Sequence, residues 1–291
     1  MPLPMTRRAF VAGITGLLLA VPQGRAEAGP GLARRLAELE QASDGRLGVS
    51  IIDMDAGTRV AHRGDERFAL CSTYKLLAAA HLLHRADSGL ERLDRKIRYG
   101  VEDLVGTSKF TGRYAGGSGV TLGDLARAAI VYSDSTAGNL MVRAAGGPEA
   151  LTAFLRSAGD AVTRVDRYEP DLAEAAPGDV RDTTTPDAMA ANLQRLIAGD
   201  LLSAPSRALL LEWLLASETG ADRLRAGVPA GWRVGDKTGS SRNGVSNDVG
   251  FLQRPDGAPI IVAVYLEAPN TASRDRNAII ADVARAVVEF G

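Results

Sequence analysis

The 291-residue chain is short of the residues on which many enzymes rely, and each shortage excludes something. It has one cysteine, Cys71, so no internal disulfide can form. It has three histidines, His62, His81 and His84, and none stands beside the motifs described below, so a Ser/His triad is not expected. His81 and His84 lie at i, i+3 without further clustered ligands, which argues against zinc; both read as helix-surface or packing residues. Only four of the 34 basic residues are lysine: Lys75, Lys96, Lys109 and Lys237. Base composition of the genome accounts for an arginine bias, yet lysine alone can lose its proton at accessible pH, which draws attention to where it is used. A net charge of −1 argues against nucleic acid or an anionic membrane as the main partner. There are no repeats and no low-complexity tracts. No apolar run after residue 28 reaches membrane length, so a soluble mature chain is expected.

What is present is ordinary globular composition, 45% hydrophobic and 24% charged, with length enough for about two domains. Residues 1–28 read as a twin-arginine-type signal peptide. Thr6-Arg7-Arg8-Ala9-Phe10 carries the arginine pair, Val11 to Val21 is apolar but too short to span, and Ala26-Glu27-Ala28 offers small residues for cleavage. Export to a bacterial periplasm or beyond follows as an expectation, with the mature chain starting near Gly29. Lacking a disulfide, such a chain relies on its core, and about 260 residues suffice for one.

Apolar spacing predicts a helix over Gly31–Ala42, then a hairpin from Leu47–Met54 through Asp55-Ala56-Gly57 to Arg59–His62. From Ser72 to about Leu215 the pattern is helical. Thr121, Pro148 and Thr185-Pro186 mark helix starts before Leu122–Val131, Glu149–Ser157 and Asp187–Ile197. Strands return at Trp232–Lys237, Asp248–Gln253 and Ile260–Glu267, and Arg274–Phe290 closes as a helix. The expected class is α/β (α+β): an antiparallel sheet built from both chain ends and flanked by helices, plus an inserted all-α domain. The expected division is 29–66 with 215–291 as the α/β domain and 67–214 as the helical one, the active site lying in the cleft between them.

Four stretches carry chemistry. In Cys71-Ser72-Thr73-Tyr74-Lys75 the serine opens a buried helix and the lysine is almost one turn on, so both share a face. A hydroxyl there sits among unpaired N–H groups at the positive helix end, where an oxyanion can be held. Lys237-Thr238-Gly239-Ser240 ends a strand with a lysine, two hydroxyls and a glycine, which suits an anionic substrate; alone it is a strand running into a turn. Ser133-Asp134-Ser135 lies between helical runs, where Ser133 could hand a proton to a leaving group; read blandly, Asp134 caps the next helix. Arg167-Tyr168-Glu169-Pro170 opens a long irregular segment ending at Arg181-Asp182. Arg167 and Asp182 are of opposite sign and can clasp its ends, making Glu169 a general-base candidate for water.

Together these stretches resemble the class A serine β-lactamases, whose signature they match in order and spacing from Gly31 to Gly291. The resemblance implies hydrolysis of the lactam amide of penicillins and cephalosporins, with carbapenems as an extension, through an acyl-enzyme on Ser72. It implies backbone N–H groups of Ser72 and Ser240 as the oxyanion hole, and Lys75 as base or proton relay, alone or with Glu169 and a water. Ser133 passes the proton to the lactam nitrogen, and Glu169 activates the water that frees Ser72. Lys237, Thr238, Gly239 and Ser240, with Arg223, hold the substrate carboxylate. Asn139 pins the Glu169 loop, and the Glu169–Pro170 bond is expected to be cis. Neither cofactor nor metal is implied, β-lactam antibiotics are the partners, and a monomer is expected on that analogy.

Three positions depart from the family. Ser135 replaces an asparagine, with one donor where an amide has two. Ala173 stands where a polar residue helps hold the hydrolytic water; losing one such bond costs roughly 1.5–3 kcal/mol, up to about a hundredfold in rate. Thr107 replaces an aromatic at the cleft entrance. The rival readings are a DD-peptidase, which needs no water-activating loop, and a non-hydrolytic penicillin-binding module that acylates without turnover. The segment from Arg167 to Asp182 argues against the first, and the lack of a membrane tether after residue 28 against the second.

Overall fold

The computed structural model describes residues 30–290, so the signal-peptide reading of residues 1–28 lies outside the described residues. In chain order the elements are α1 (Pro30–Ser43), β1 (Arg46–Asp53), β2 (Thr58–His62), β3 (Phe68–Ala69), α2 (Tyr74–Asp87), β4 (Lys96–Ile97) and β5 (Val120–Thr121). Then come α3 (Leu122–Val131), α4 (Ser135–Ala144), α5 (Gly147–Ser157), β6 (Thr183–Thr184), α6 (Pro186–Ala198) and α7 (Ala204–Leu215). The chain ends with β7 (Arg233–Ser240), β8 (Val245–Gln253), β9 (Ile260–Glu267) and α8 (Ser273–Phe290).

β9 explains the architecture. Side chains alternate between the two faces of a strand, yet Ile260 to Leu266 are all buried, so both faces of the sheet must be covered. Ile260, Val262, Val264 and Leu266 enter one core with Leu32, Leu36 and Leu39 of α1 and Ile280, Val283 and Val287 of α8. Ile261, Ala263 and Tyr265 enter the other, with Phe68, Leu76, Leu77 and the helices of the middle block. The five strands run antiparallel in the order β2-β1-β9-β8-β7, so the two chain ends do assemble one sheet.

The middle block shares its core with this sheet, and α6 packs on β1 and β9. It also holds two ribbons of two residues per strand, β3–β6 and β4–β5, too short to show a period in the sequence. Helix starts follow the capping residues: Thr121 Oγ1 accepts from Asp124 N–H at 3.1 Å and Thr185 Oγ1 from Ala188 N–H at 3.2 Å. Each such cap stabilises its helix by about 1 kcal/mol.

β7 is an edge strand and forms one wall of the cleft. It lies close on β8 because Gly250 faces Asp236 across the pair; a Cβ at Gly250 would stand 2.0 Å from the Gly235 carbonyl oxygen. Ser72 sits in a 3-10 turn, Cys71–Thr73, rather than in the first turn of an α-helix. The chain is pinned just before it, where Leu70 N–H donates to Asp182 O at 2.8 Å and Asn247 Nδ2 donates to Ala69 O at 2.9 Å. Cys71 consequently adopts φ +44°, left-handed for a residue with a Cβ, and α2 begins only afterwards.

Candidate active site

A cleft of about 1070 Å³ opens between β7 and the helical block. Ser72, Thr107, Ser133, Ser135, Glu169, Pro170, Arg223, Thr238, Gly239 and Ser240 all line it. Lys75 and Lys237 lie beneath the surface, fully buried. Asn139, Arg167 and Asp182 stand behind the lining.

Lys75 Nζ reaches the Ser72 hydroxyl because both are on one turn of chain; it donates to Ser72 Oγ at 3.0 Å. It also donates to Ser133 O at 2.9 Å and lies 3.1 Å from Glu169 Oε1. Ser72 Oγ in turn lies 3.3 Å from Glu169 Oε1, so nucleophile, amine and carboxylate form one triangle. Ser135 Oγ is 3.4 Å from Lys75 Nζ, a long contact that fits the shortened side chain at this position. Burial draws the Lys75 ammonium below the ordinary lysine range, against the opposing pull of Glu169. Lys237 is drawn down further, by burial first and then by the Lys75 charge. Lys237 Nζ donates to Ser133 Oγ at 2.9 Å while Lys75 Nζ holds the backbone carbonyl of the same residue, so the two lysines converge on Ser133.

The two readings of Ser133-Asp134-Ser135 hold together. Asp134 caps α4, accepting from Ala137 N–H at 2.8 Å. The same carboxylate accepts from Phe110 and Thr111 N–H at 2.9 Å each and from Thr111 Oγ1 at 2.8 Å. It thereby binds the loop carrying Thr107 to the helix start. Ser133 sits at φ +54° on this turn, its hydroxyl turned into the cleft.

The irregular segment is clasped at its ends. Arg167 Nε lies 2.6 Å from Asp182 Oδ2, while Asp182 Oδ1 accepts from Asp166 N–H at 2.7 Å and Arg167 N–H at 3.0 Å. In the middle, Asn139 Nδ2 donates to Glu169 O at 2.8 Å and its Oδ1 accepts from Glu169 N–H at 2.9 Å. The Glu169–Pro170 peptide is cis. Ala173 lines the cleft close by and offers no polar atom.

Arg223 is buried under β7. It donates to Gly239 O at 2.9 Å, Asn247 O at 2.6 Å, Ser240 Oγ at 2.7 Å and Asn277 Oδ1 at 2.9 Å. Its cation therefore reaches the cleft largely through Ser240. Sequence reasoning missed Asn247, which fixes the turn before Ser72. It also missed Asn243, whose Nδ2 donates to Glu174 O at 2.6 Å across the cleft mouth. Neither has a local signal, since each acts on chain remote in sequence. His81 and His84 are packing residues: His81 stacks on Phe154 at 4.9 Å, and His84 Nδ1 is 3.1 Å from Leu201 O.

A profile described as "Beta-lactamase enzyme family" matches residues 31–290. "Beta-lactamase FAR-1" of Nocardia farcinica (strain IFM 10152) is 46% identical, covering 87% of this chain and 80% of that protein. "Carbapenem-hydrolyzing beta-lactamase KPC" of Klebsiella oxytoca is 43% identical, covering 89% and 88%. Among solved structures, "Ancestral (GNCA) Beta-lactamase class A" superposes with a TM-score of 0.87 at 57% identity, covering 89% of this chain and 99% of that one.

The clasp makes its own prediction. Asp182→Asn keeps the shape but removes the charge facing Arg167, and should cost about 2–3 kcal/mol of stability. Urea unfolding should show the loss, and stopped-flow turnover should show slower release of product with the initial burst retained. An unchanged midpoint and an unchanged release rate would contradict it.

Proposed function

The chain belongs to the class A serine β-lactamase family and hydrolyses β-lactams, and on that premise we propose that it does so through an acyl-enzyme on Ser72, released by water that Glu169 activates. The observation carrying the proposal is the triangle in which Ser72 Oγ lies 3.0 Å from Lys75 Nζ and 3.3 Å from Glu169 Oε1.

In acylation the Ser72 proton leaves toward the Lys75–Glu169 pair as Oγ attacks the lactam carbonyl. An amine whose charge is disfavoured by burial is suited to relay that proton. The oxyanion rests on the N–H groups of Ser72 and Ser240. Ser133, its hydroxyl bound by Lys237, gives its proton to the departing nitrogen and regains the one that Ser72 released to the Lys75–Glu169 pair. Lys237, Thr238, Gly239 and Ser240 receive the substrate carboxylate, and Arg223 contributes by fixing Ser240. In deacylation Glu169, held within hydrogen-bond reach of the acylated oxygen, takes a proton from water as it attacks the ester. A DD-peptidase has no use for that carboxylate.

Ser135 and Ala173 support slowed deacylation for some lactams, because each removes polar help near Lys75 or the attacking water. The proposal extends to export by the segment up to Ala28, on its arginine pair and short apolar run, and to action as a monomer, on family analogy. Two units, 29–66 with 215–291 and 67–214, remain our division of the chain. No helix among the described residues is long and apolar enough to cross a membrane.

Nitrocefin should be turned over catalytically by the parent, not once per molecule, and Ser72→Ala should abolish it. Mass spectrometry during turnover should catch an adduct on Ser72 that persists for at least some lactams. Prompt release of every class tested would remove the slow-deacylation reading. Replacing Ser240 by alanine should impair oxyimino-cephalosporins and carbapenems more than penicillins, as compared by kcat/KM. Equal loss across classes would count against a role for Ser240 in breadth.

A further inference from the structure

The chain leaving α7 passes beside β7 as Ser217-Glu218-Thr219-Gly220. Two features set how closely it lies. A Cβ at Gly220 would stand 1.9 Å from Asp236 Oδ2, so only glycine fits there. Glu218 N–H donates to Val131 O at 2.9 Å, which ties the segment to the end of α3. Held in this way, Thr219 Oγ1 comes to 2.6 Å from Thr238 Oγ1, a good O–H···O distance. Both threonines line the cleft. Among the described residues, Thr219 is the one hydrogen-bond partner of the Thr238 hydroxyl.

Behind Thr219 the contacts continue but lengthen. The buried Ser217 Oγ lies 3.4 Å from Thr219 Oγ1 and 3.4 Å from Asp236 Oδ2, while Arg225 Nε takes the other Asp236 oxygen at 2.5 Å. A hydroxyl has one hydrogen and two lone pairs, so the short contact between the threonines runs in one of two senses. If Thr238 donates, its hydrogen points at Thr219 and its lone pairs face the cleft, which disfavours an anion. If Thr219 donates, the Thr238 hydrogen is free to enter the cleft. A carboxylate only accepts, so an anionic substrate selects the second sense. Ser217 competes weakly for the Thr219 hydrogen, at 3.4 Å against 2.6 Å. A hydroxyl that accepts one hydrogen bond also donates its own more strongly.

We propose that Thr219 is a positioning residue for the substrate carboxylate: its hydroxyl gives its hydrogen to Thr238 Oγ1 and so leaves the Thr238 hydrogen aimed at the anion. The inference deepens the reading in which Lys237, Thr238, Gly239 and Ser240 receive that carboxylate, and it rests on it. Valine at 219 would keep the shape of the side chain and remove the donor. Thr238 would then meet the substrate without an accepted hydrogen bond to orient and polarise it. Serine at 219 would keep the donor and lose only a methyl group. The acidic neighbour Glu218 is taken by Lys109 Nζ at 2.5 Å, so the group offered to Thr238 from this segment is a neutral hydroxyl.

The test is the steady-state hydrolysis of nitrocefin by Thr219→Val, Thr219→Ser, Thr238→Val and the double valine variant, with thermal midpoints alongside. Thr219→Val should lower kcat/KM roughly three- to tenfold, the worth of one hydrogen bond. The loss should fall on KM, with kcat within about twofold of the parent, because the Glu169 water is untouched. Thr219→Ser should stay within about twofold of the parent in both constants. Adding Thr219→Val to Thr238→Val should cost less than about twofold more, since the hydroxyl it acts through is already gone. A Thr219→Val variant with the parent kcat/KM would overturn the proposal, whatever its thermal midpoint. So would an equal loss in both backgrounds, which would mean that Thr219 acts on the substrate or the fold without Thr238. A Thr238→Val variant with the parent kcat/KM would instead remove the carboxylate reading beneath it.

Discussion

Lys75 and Glu169 face each other at 3.1 Å with their side chains almost wholly out of solvent. Removing two such charges from water costs several kcal/mol per ion, so the pair persists only if the fold supplies the lost partners. The fold does so from three directions. Ser133 O and Ser72 Oγ accept from the amine. Asn139 holds the backbone of the carboxylate residue from α4, and the Arg167–Asp182 clasp stops the loop from swinging its acid into water. Each of these partners comes from a different stretch of chain, so the catalytic pair depends on the packing of the helical block against the sheet.

Strain gathers at the same place. Six non-glycine residues among those described take positive φ, and three of them, Cys71, Ser133 and Asp182, stand at hinges of the site. Cys71 turns the chain so that Ser72 precedes α2, Ser133 turns its hydroxyl to Lys237, and Asp182 closes the loop. Such conformations cost of order 1–3 kcal/mol each and survive where neighbours over-determine them. Here the neighbours are Asn247 gripping Ala69 O, Asp134 gripping Phe110 and Thr111, and Arg167 gripping Asp182.

Much of this was legible in the sequence, for physical reasons that differ by element. Ile260–Glu267 could be read to the residue because a strand buried on both faces is one unbroken apolar run. Leu122–Val131 could be read because Thr121 caps it and nothing competes. The four motifs were legible because the residues of each are adjacent in sequence and the chemistry is local. Three things were not. The 3-10 turn at Cys71–Thr73 is imposed by bonds from Asp182 and Asn247, more than a hundred residues away. The joint core of sheet and helical block has no sequence period of its own. The double duty of Asp134, cap and loop anchor at once, needs the loop to be folded before it can be seen.

The account turns on one carboxylate serving as the base for the water that frees Ser72. Glu169→Gln keeps the shape and the backbone bonds to Asn139 while removing the base, so rapid-quench mass spectrometry of this variant with nitrocefin is the most direct test. The account predicts one equivalent of chromophore change, a stable adduct on Ser72, and release slowed by roughly 10²–10⁴-fold, the usual worth of a positioned base. Release at the parent rate, with no adduct accumulating, would contradict it.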